Sequence, residues 1–331
     1  MDANPILVEQ TRGDAVENRH RGAFVIADAD GNVIAAGGDI SRPVFPRSAI
    51  KSMQALAMVT SGAIDRFGLS DEQLALACAS HHGEEVHVTR VAGFLGGLGL
   101  SETNLECGAH QPTNGRARVA LRAAGLEPTA LHNNCSGKHS GFLTLNRHLD
   151  GGTEYVELDH PVQQAAKAAY EDTTGETSAG WGIDGCSAPN FATTLTGFAR
   201  ALAAFAGATD SGDARQRAMV RLRQAMASHP ELVSGEGGAC TELMRAMQGR
   251  VTIKGGAEGV YAAILPEQGL GIALKIVDGS ERAKEAAIAA LLVRAGVLEA
   301  GHPTTQRVLN APQLNRRRIV TGILTTAPAF P

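Results

Sequence analysis

No segment of this chain has the length and apolarity of a membrane span. The longest apolar run, Ala286 to Val293, is far short of the roughly 20 residues a bilayer requires. The N-terminal residues, MDANPILVEQTRGDAVENRH, lack a basic stretch followed by an apolar one, so no secretory signal is expected there. Blocks of like charge are also missing. The 30 basic and 34 acidic residues are spread along the chain and leave a net charge of -4. Arg316-Arg317-Arg318 is the one basic cluster and is too short to matter. Nucleic acid and anionic membrane are therefore not the expected partners. Cysteine is sparse: five residues, an odd count at irregular spacings, which excludes a secreted disulfide framework. A cytoplasmic location is expected, with the thiols serving packing, metal ligation or chemistry. There is no internal repeat and no low-complexity segment.

What is present describes an ordinary globular protein. The 331 residues are 44% hydrophobic and 19% charged, enough for one large domain or two closely joined ones. Glycine is abundant at 39 residues, and many glycines sit in pairs beside the motifs below. Residues 23–37 place two apolar runs around an Asp/Gly-rich turn, the pattern of a β-hairpin. Residues 47–62 carry apolar side chains at helical spacing, preceded by Pro43 and Pro46 and closed by Gly62. Residues 70–250 are predominantly helical in pattern. Beyond them come a short strand at 251–254, a hairpin over 259–277, a helix over 280–295 and a strand over 319–326. This order predicts an α/β chain of the α+β kind, an antiparallel sheet built from both chain ends and flanked by helices, with an inserted helical region. The expected organisation is a single catalytic unit over residues 1–331, with sheet near 1–62 and 250–331 and helices near 63–249.

Ser48-Ala49-Ile50-Lys51 carries the most chemistry. On a helix, residues i and i+3 share a face, so the lysine amine can reach the serine oxygen. A serine hydroxyl needs a base, and a lysine serves only when burial or a nearby cation lowers its pKa. Ser48 falls in the first turn, where free backbone N–H groups can stabilise an oxyanion. Lys254-Gly255-Gly256 on a late strand looks like the Lys-Thr-Gly element that accompanies Ser-x-x-Lys in β-lactamases and penicillin-binding proteins. Its glycines, Gly255 first, let a substrate lie against the backbone. Ser80, in Cys78-Ala79-Ser80-His81-His82-Gly83-Glu84, stands roughly where that superfamily has its second serine motif, without the Ser-Asp-Asn wording. It is read as a proton relay, and the paired histidines as cap or core residues.

Two polar runs hold the cysteines of interest: His132-Asn133-Asn134-Cys135-Ser136-Gly137-Lys138-His139-Ser140 and Gly182-Ile183-Asp184-Gly185-Cys186-Ser187-Ala188-Pro189-Asn190. Neither has a strong zinc spacing. Cys135 lies within one turn of Lys138 and His139, and Cys186 could join from elsewhere. Three readings stand: a metal site, a Cys135 nucleophile with His139 as base, or packed cysteines in capped turns.

Together these motifs resemble the Rhizobium etli-type (class 3) L-asparaginases, which have the serine β-lactamase and glutaminase-like fold, and the match covers essentially the whole chain. The resemblance implies hydrolysis of L-asparagine to L-aspartate and ammonia. It implies two Ser–Lys tandems, Ser48 with Lys51 and Ser80 with Lys254. It also implies a zinc ion (Zn2+) bound by Cys135, Lys138 and Cys186, with Asp184 holding a metal-bound water and Arg47 and His139 near the substrate. A lysine ligand must be neutral, so metal would have to displace its proton. A homodimer is the expected assembly. The alternatives are a glutaminase, a penicillin-interacting hydrolase or esterase of the same fold, and a zinc-stabilised amino-acid-binding module without turnover.

Overall fold

The structure, a computed structural model, describes residues 4–328 and Phe330. Its strands are β1 Ile6–Arg12, β2 Ala15–Asp28, β3 Val33–Gly37, β4 Trp181–Ile183, β5 Pro189–Phe191, β6 Thr252–Gly256, β7 Val260–Leu265, β8 Leu270–Ile276, β9 Ala311–Leu314 and β10 Val320–Thr326. Its helices run α1 Lys51–Thr60, α2 Ala63–Arg66, α3 Asp71–Ala77, α4 Glu85–Gly97, α5 Gly115–Ala123, α6 Ser136–Leu149 and α7 Pro161–Thr174. They continue as α8 Leu195–Gly207, α9 Ala214–Ser228, α10 Pro230–Val233, α11 Ala239–Ala246, α12 Glu281–Arg294 and α13 Pro303–Leu309. No helix among the described residues is long and apolar enough to cross a membrane. Two compact units result. One holds the residues up to Ala49, Thr193–Gly207 and the chain from Glu242 on; the other holds Ile50–Ala192 and Ala208–Thr241.

The first unit is built on an eight-stranded sheet in the order β6-β7-β8-β2-β1-β10-β9, with β3 also paired to β2. Every pairing in it is antiparallel, and both chain ends contribute, as the strand and helix order predicts. β7 is Val-Tyr-Ala-Ala-Ile-Leu and every residue is buried, with α8 and α12 both packed on β7 and β8. A strand covered on both faces reads as a continuous apolar run rather than an alternation. Gly271 on β8 lets α8 come close: a Cβ there would lie 2.2 Å from Ala203 N and 2.5 Å from Ala199 O. This contact places α8 with the sheet unit, although residues 191–206 fall in the region expected to be helical insertion.

The apolar run of β1 is only Ile6-Leu7-Val8, and the first half of β2 carries none. Ala15 to Arg19 are exposed and tied to their neighbours by surface pairs, Arg12–Glu17 at 2.7 Å and Arg19–Glu9 at 3.1 Å. Apolar content reveals β2 only from Ala23 on, where it becomes buried.

The second unit is helical and is organised around α1 and α6. Nine of the ten α1 residues are buried, and it packs on α2, α3, α6, α7 and α9. The α6 residues Ser136 to Asn146 are all buried. The ends of α3 and α7 follow from local chemistry: Ser70 and Gln73 form a capping box, and Pro161 opens α7 ahead of a left-handed Gly175 at its close.

Candidate active site

Within the sheet unit, the chain before α1 tightens into a 3-10 turn, Arg47–Ile50, that carries Ser48. Sequence spacing predicts Ser48 and Lys51 on one helix. In the structure Ser48 lies in this turn and Lys51 is the first α-helical residue. Arg47 has a left-handed backbone, φ 54°, which is uncommon for a side chain of its size and marks the turn as held by its surroundings. Part of that constraint comes from β6, the edge strand of the sheet. A Cβ on Gly256 would lie 2.4 Å from Pro46 O and 3.3 Å from Ala49 N, so only glycine lets the Ser48 turn sit this close. The backbone N–H groups of Ser48 and Ala257, on these two touching segments, have no hydrogen-bond partner among the described residues. Lys254 is buried, and its amine donates to Gly255 O at 2.7 Å.

Within the helical unit, a second cluster forms around Lys51, which is 1% exposed. Its Nζ donates to the Ala79 carbonyl and reaches Ser80 Oγ at 2.9 Å and Cys135 Sγ at 3.0 Å. Three separate segments therefore meet at one amine. Glycine again permits the approach: a Cβ on Gly137 would lie 2.4 Å from Leu76 O, so α6 can start directly against the end of α3. The Asn134 carbonyl accepts from His81 N at 3.1 Å and locks the two loops together. Asn133 Oδ1 accepts from Cys135 N at 2.9 Å, which sets the turn that presents the thiol.

Cys186 comes from the β4–β5 hairpin, which the sequence shows only as a polar run. The turn between the strands is fixed by Asp184 N to Ala188 O at 3.0 Å and by a left-handed Ser187. The Tyr170 hydroxyl of α7 donates to Phe191 O at 3.2 Å and docks the hairpin. Lys138 Nζ then lies 3.0 Å from Cys186 Sγ. The pair is charged and self-compensating. A hydrogen bond from Cys135, followed by the charge of Lys138, holds the Cys186 thiol far below its usual range against the opposing effect of burial. The same contact with Cys186, with burial second, pushes the Cys135 thiol up. Burial pulls Lys138 down, but Cys186 and Cys135 outweigh it and push its amine up.

The histidines divide by role. His81 is fully buried, accepts from Gly83 N at Nδ1, and lies 2.9 Å from Ser136 Oγ at Nε2. Burial, then His87 and Lys51, hold it well below its usual pKa, so it is a neutral core residue. His139 is also fully buried. Its Nδ1 is 2.8 Å from the Tyr155 hydroxyl, whose oxygen accepts from Glu106 N at 2.9 Å. Nε2, the other ring nitrogen, makes no hydrogen bond of good geometry, and contact with the Cys186 sulfur raises the imidazole pKa against the larger lowering effect of burial. Tyr155 escapes sequence reading because an isolated buried tyrosine in a loop leaves no periodic signal.

The structure thus gathers Lys51, Ser80, Cys135, Lys138, His139, Asp184 and Cys186 in the helical unit. Arg47, Ser48, Lys254 and Gly255 fall in the sheet unit. Among the described residues, no three His, Cys, Asp or Glu side chains gather as a metal site. The trio Cys135, Lys138 and Cys186 has a different composition, two thiols and one amine.

The L-asparaginase II family model matches residues 8–326, and the chain belongs to that family. No curated protein matches it. Among solved structures it is similar to Mglu in its native form in 4.3 M NaCl, at 14% identity over 85% of this chain and 62% of that one, with a TM-score of 0.48. It is also similar to a beta-lactamase from Mycobacterium bovis, at 12% identity over 82% and 94%, TM-score 0.45. A third is the simvastatin synthase LovD6 mutant from Aspergillus terreus, at 10% over 82% and 93%, TM-score 0.42. The chain spans less than two thirds of the length of Mglu.

Because Gly137 sets the approach of α6 to the Ala79–Ser80 segment, Gly137→Ala is expected to cost about 1–3 kcal/mol of stability. Amide turnover should fall with it, as the Lys51 contacts loosen. Urea denaturation and ammonia release measure the two effects. Full stability together with full turnover would contradict this role.

Proposed function

We propose that this protein is an L-asparaginase that hydrolyses the side-chain amide of L-asparagine through a serine nucleophile. The observation that carries the reading is the contact between the Ser48 turn and Gly256, which brings together two segments with unpartnered N–H groups, on Ser48 and Ala257. Donors of this kind can stabilise the oxyanion of a tetrahedral intermediate, a contribution of about 10²–10³ in rate per donor.

In this mechanism Ser48 Oγ attacks the side-chain amide carbon as Lys51 takes its proton. The oxyanion collapses, the C–N bond breaks, and the departing nitrogen receives a proton and leaves as ammonia. Ser80, hydrogen-bonded to Lys51 at 2.9 Å, relays that proton. Water then attacks the acyl carbon, Lys51 takes its proton, and aspartate leaves as Ser48 is restored. Lys254 forms the second tandem with Ser80, and Arg47, Gly255 and Asp184 bind the substrate. Glutamine differs by one methylene, which is worth only about 1–3 kcal/mol of discrimination, and glutaminase activity is the nearest alternative. Ammonia release from asparagine should fall by roughly three orders of magnitude in Ser48→Ala and exceed release from glutamine in the wild type. Near-normal turnover by the variant would overturn the assignment of Ser48.

The buried trio also fits zinc. Two thiols and an amine lie together around Cys186, and His139, whose Nε2 makes no hydrogen bond of good geometry, stands beside the same sulfur. We propose that Cys135, Lys138 and Cys186 hold the ion, which would supply positive charge for orienting a carboxylate substrate. Cys135 would then answer to both the ion and Lys51. Purified Cys135→Ala should lose its zinc by elemental analysis. Stoichiometric zinc in that variant would exclude the thiol as a ligand.

A further inference from the structure

Lys284 belongs to no motif, yet it is one of the few buried lysines of the sheet unit, at 4% exposure in the first turn of α12. Taking a lysine out of water costs several kcal/mol unless its polar head finds partners. Lys284 finds three. Its Nζ donates to the Gly256 carbonyl at 2.6 Å, pairs with Glu281 Oε2 at 2.5 Å, and lies 5.8 Å from the centre of the Tyr261 ring. Glu281 is largely exposed, so the pair alone does not explain why the lysine is drawn inward. The inward contact is the bond to Gly256.

Gly256 is also the residue whose missing side chain admits the Ser48 turn, through Pro46 O and Ala49 N. A trans peptide is planar, and its C=O and N–H point in opposite directions. Fixing the Gly256 carbonyl therefore fixes the direction of the Ala257 N–H, which has no partner of its own. Gly256 ends β6, and the residues after it form a turn, so the strand ladder does not set this peptide plane from both sides.

We propose that Lys284 is a positioning residue for amide hydrolysis: by holding the Gly256 carbonyl it aims the Ala257 N–H and sets the end of β6 against the Ser48 turn. This rests on the reading of Ser48 and Ala257 as the groups that meet the reacting amide. Lys284 itself touches no substrate in this role. Its removal acts on the transition state, so it should lower kcat and leave KM nearly unchanged.

The test compares full-length wild type with Lys284→Met, which keeps length and removes the donor, and Lys284→Arg, which keeps a donor. Each is checked for folding by circular dichroism and thermal melting before kinetics. In folded Lys284→Met, kcat for asparagine should fall about tenfold to a hundredfold with KM within about threefold, and Lys284→Arg should recover part of the loss. Hydrogen exchange of the segment 252–260 should quicken in Lys284→Met relative to the rest of the sheet. A lowered melting temperature with unchanged kcat and unchanged local exchange would reduce Lys284 to a structural residue and overturn the proposal. If the wild type releases no ammonia from any amide, the functional reading fails. The exchange measurement then still decides whether Lys284 holds the end of β6.

Discussion

The helical unit depends on the partners of one buried amine. Lys51 cannot leave its place at the head of α1 without stranding a polar group in an apolar interior. The Ala79 carbonyl and the Ser80 hydroxyl meet it from one segment and the Cys135 thiol from another. The packing of α1, the end of α3 and the start of α6 is thus tied to a single hydrogen-bonding centre. Such a centre is costly when half satisfied and rigid when complete. It also joins two chemistries that look separate along the sequence: the Ser-x-x-Lys helix and the thiol cluster share Lys51–Cys135 as a common edge. A change in charge at the thiols would be felt directly at the amine.

Glycine sets the distances on which this arrangement relies. Gly137 admits α6 to the end of α3, and Gly256 admits the Ser48 turn to the edge of β6. In both places the atom that would clash is a backbone carbonyl oxygen, which has no flexible end to swing away. The high glycine content is therefore partly explained by close approach of main chains at the candidate site. Elsewhere, as at Gly62 and Gly99, the glycines have open space around them and serve turns with positive φ.

Much of this was legible in the sequence, and the reason differs by element. The hairpins β2–β3 and β7–β8 show because apolar runs flank turn residues. The long helices show through their periodic apolar faces. β1 has only three consecutive apolar residues before a polar stretch, β9 spans four residues, and β4 and β5 span three each, so none carries enough apolar signal. The site residues are legible as types in a pattern, but their partners are not. Spacing pairs Lys51 with Ser48, whereas the contact seen at Lys51 is with Ser80, which is 29 residues away. Tyr155 and Lys284 have no motif at all, because the partners that matter lie far along the chain and leave no local trace.

The most direct measurement is the identity of the covalently modified residue during turnover. The protein would be quenched in acid while processing asparagine and then mapped by peptide mass spectrometry. Ser48 as nucleophile predicts a β-aspartyl adduct on the peptide carrying Ser48, absent from Ser48→Ala. An adduct on Ser80 or Cys135, with Ser48 unmodified, would contradict it.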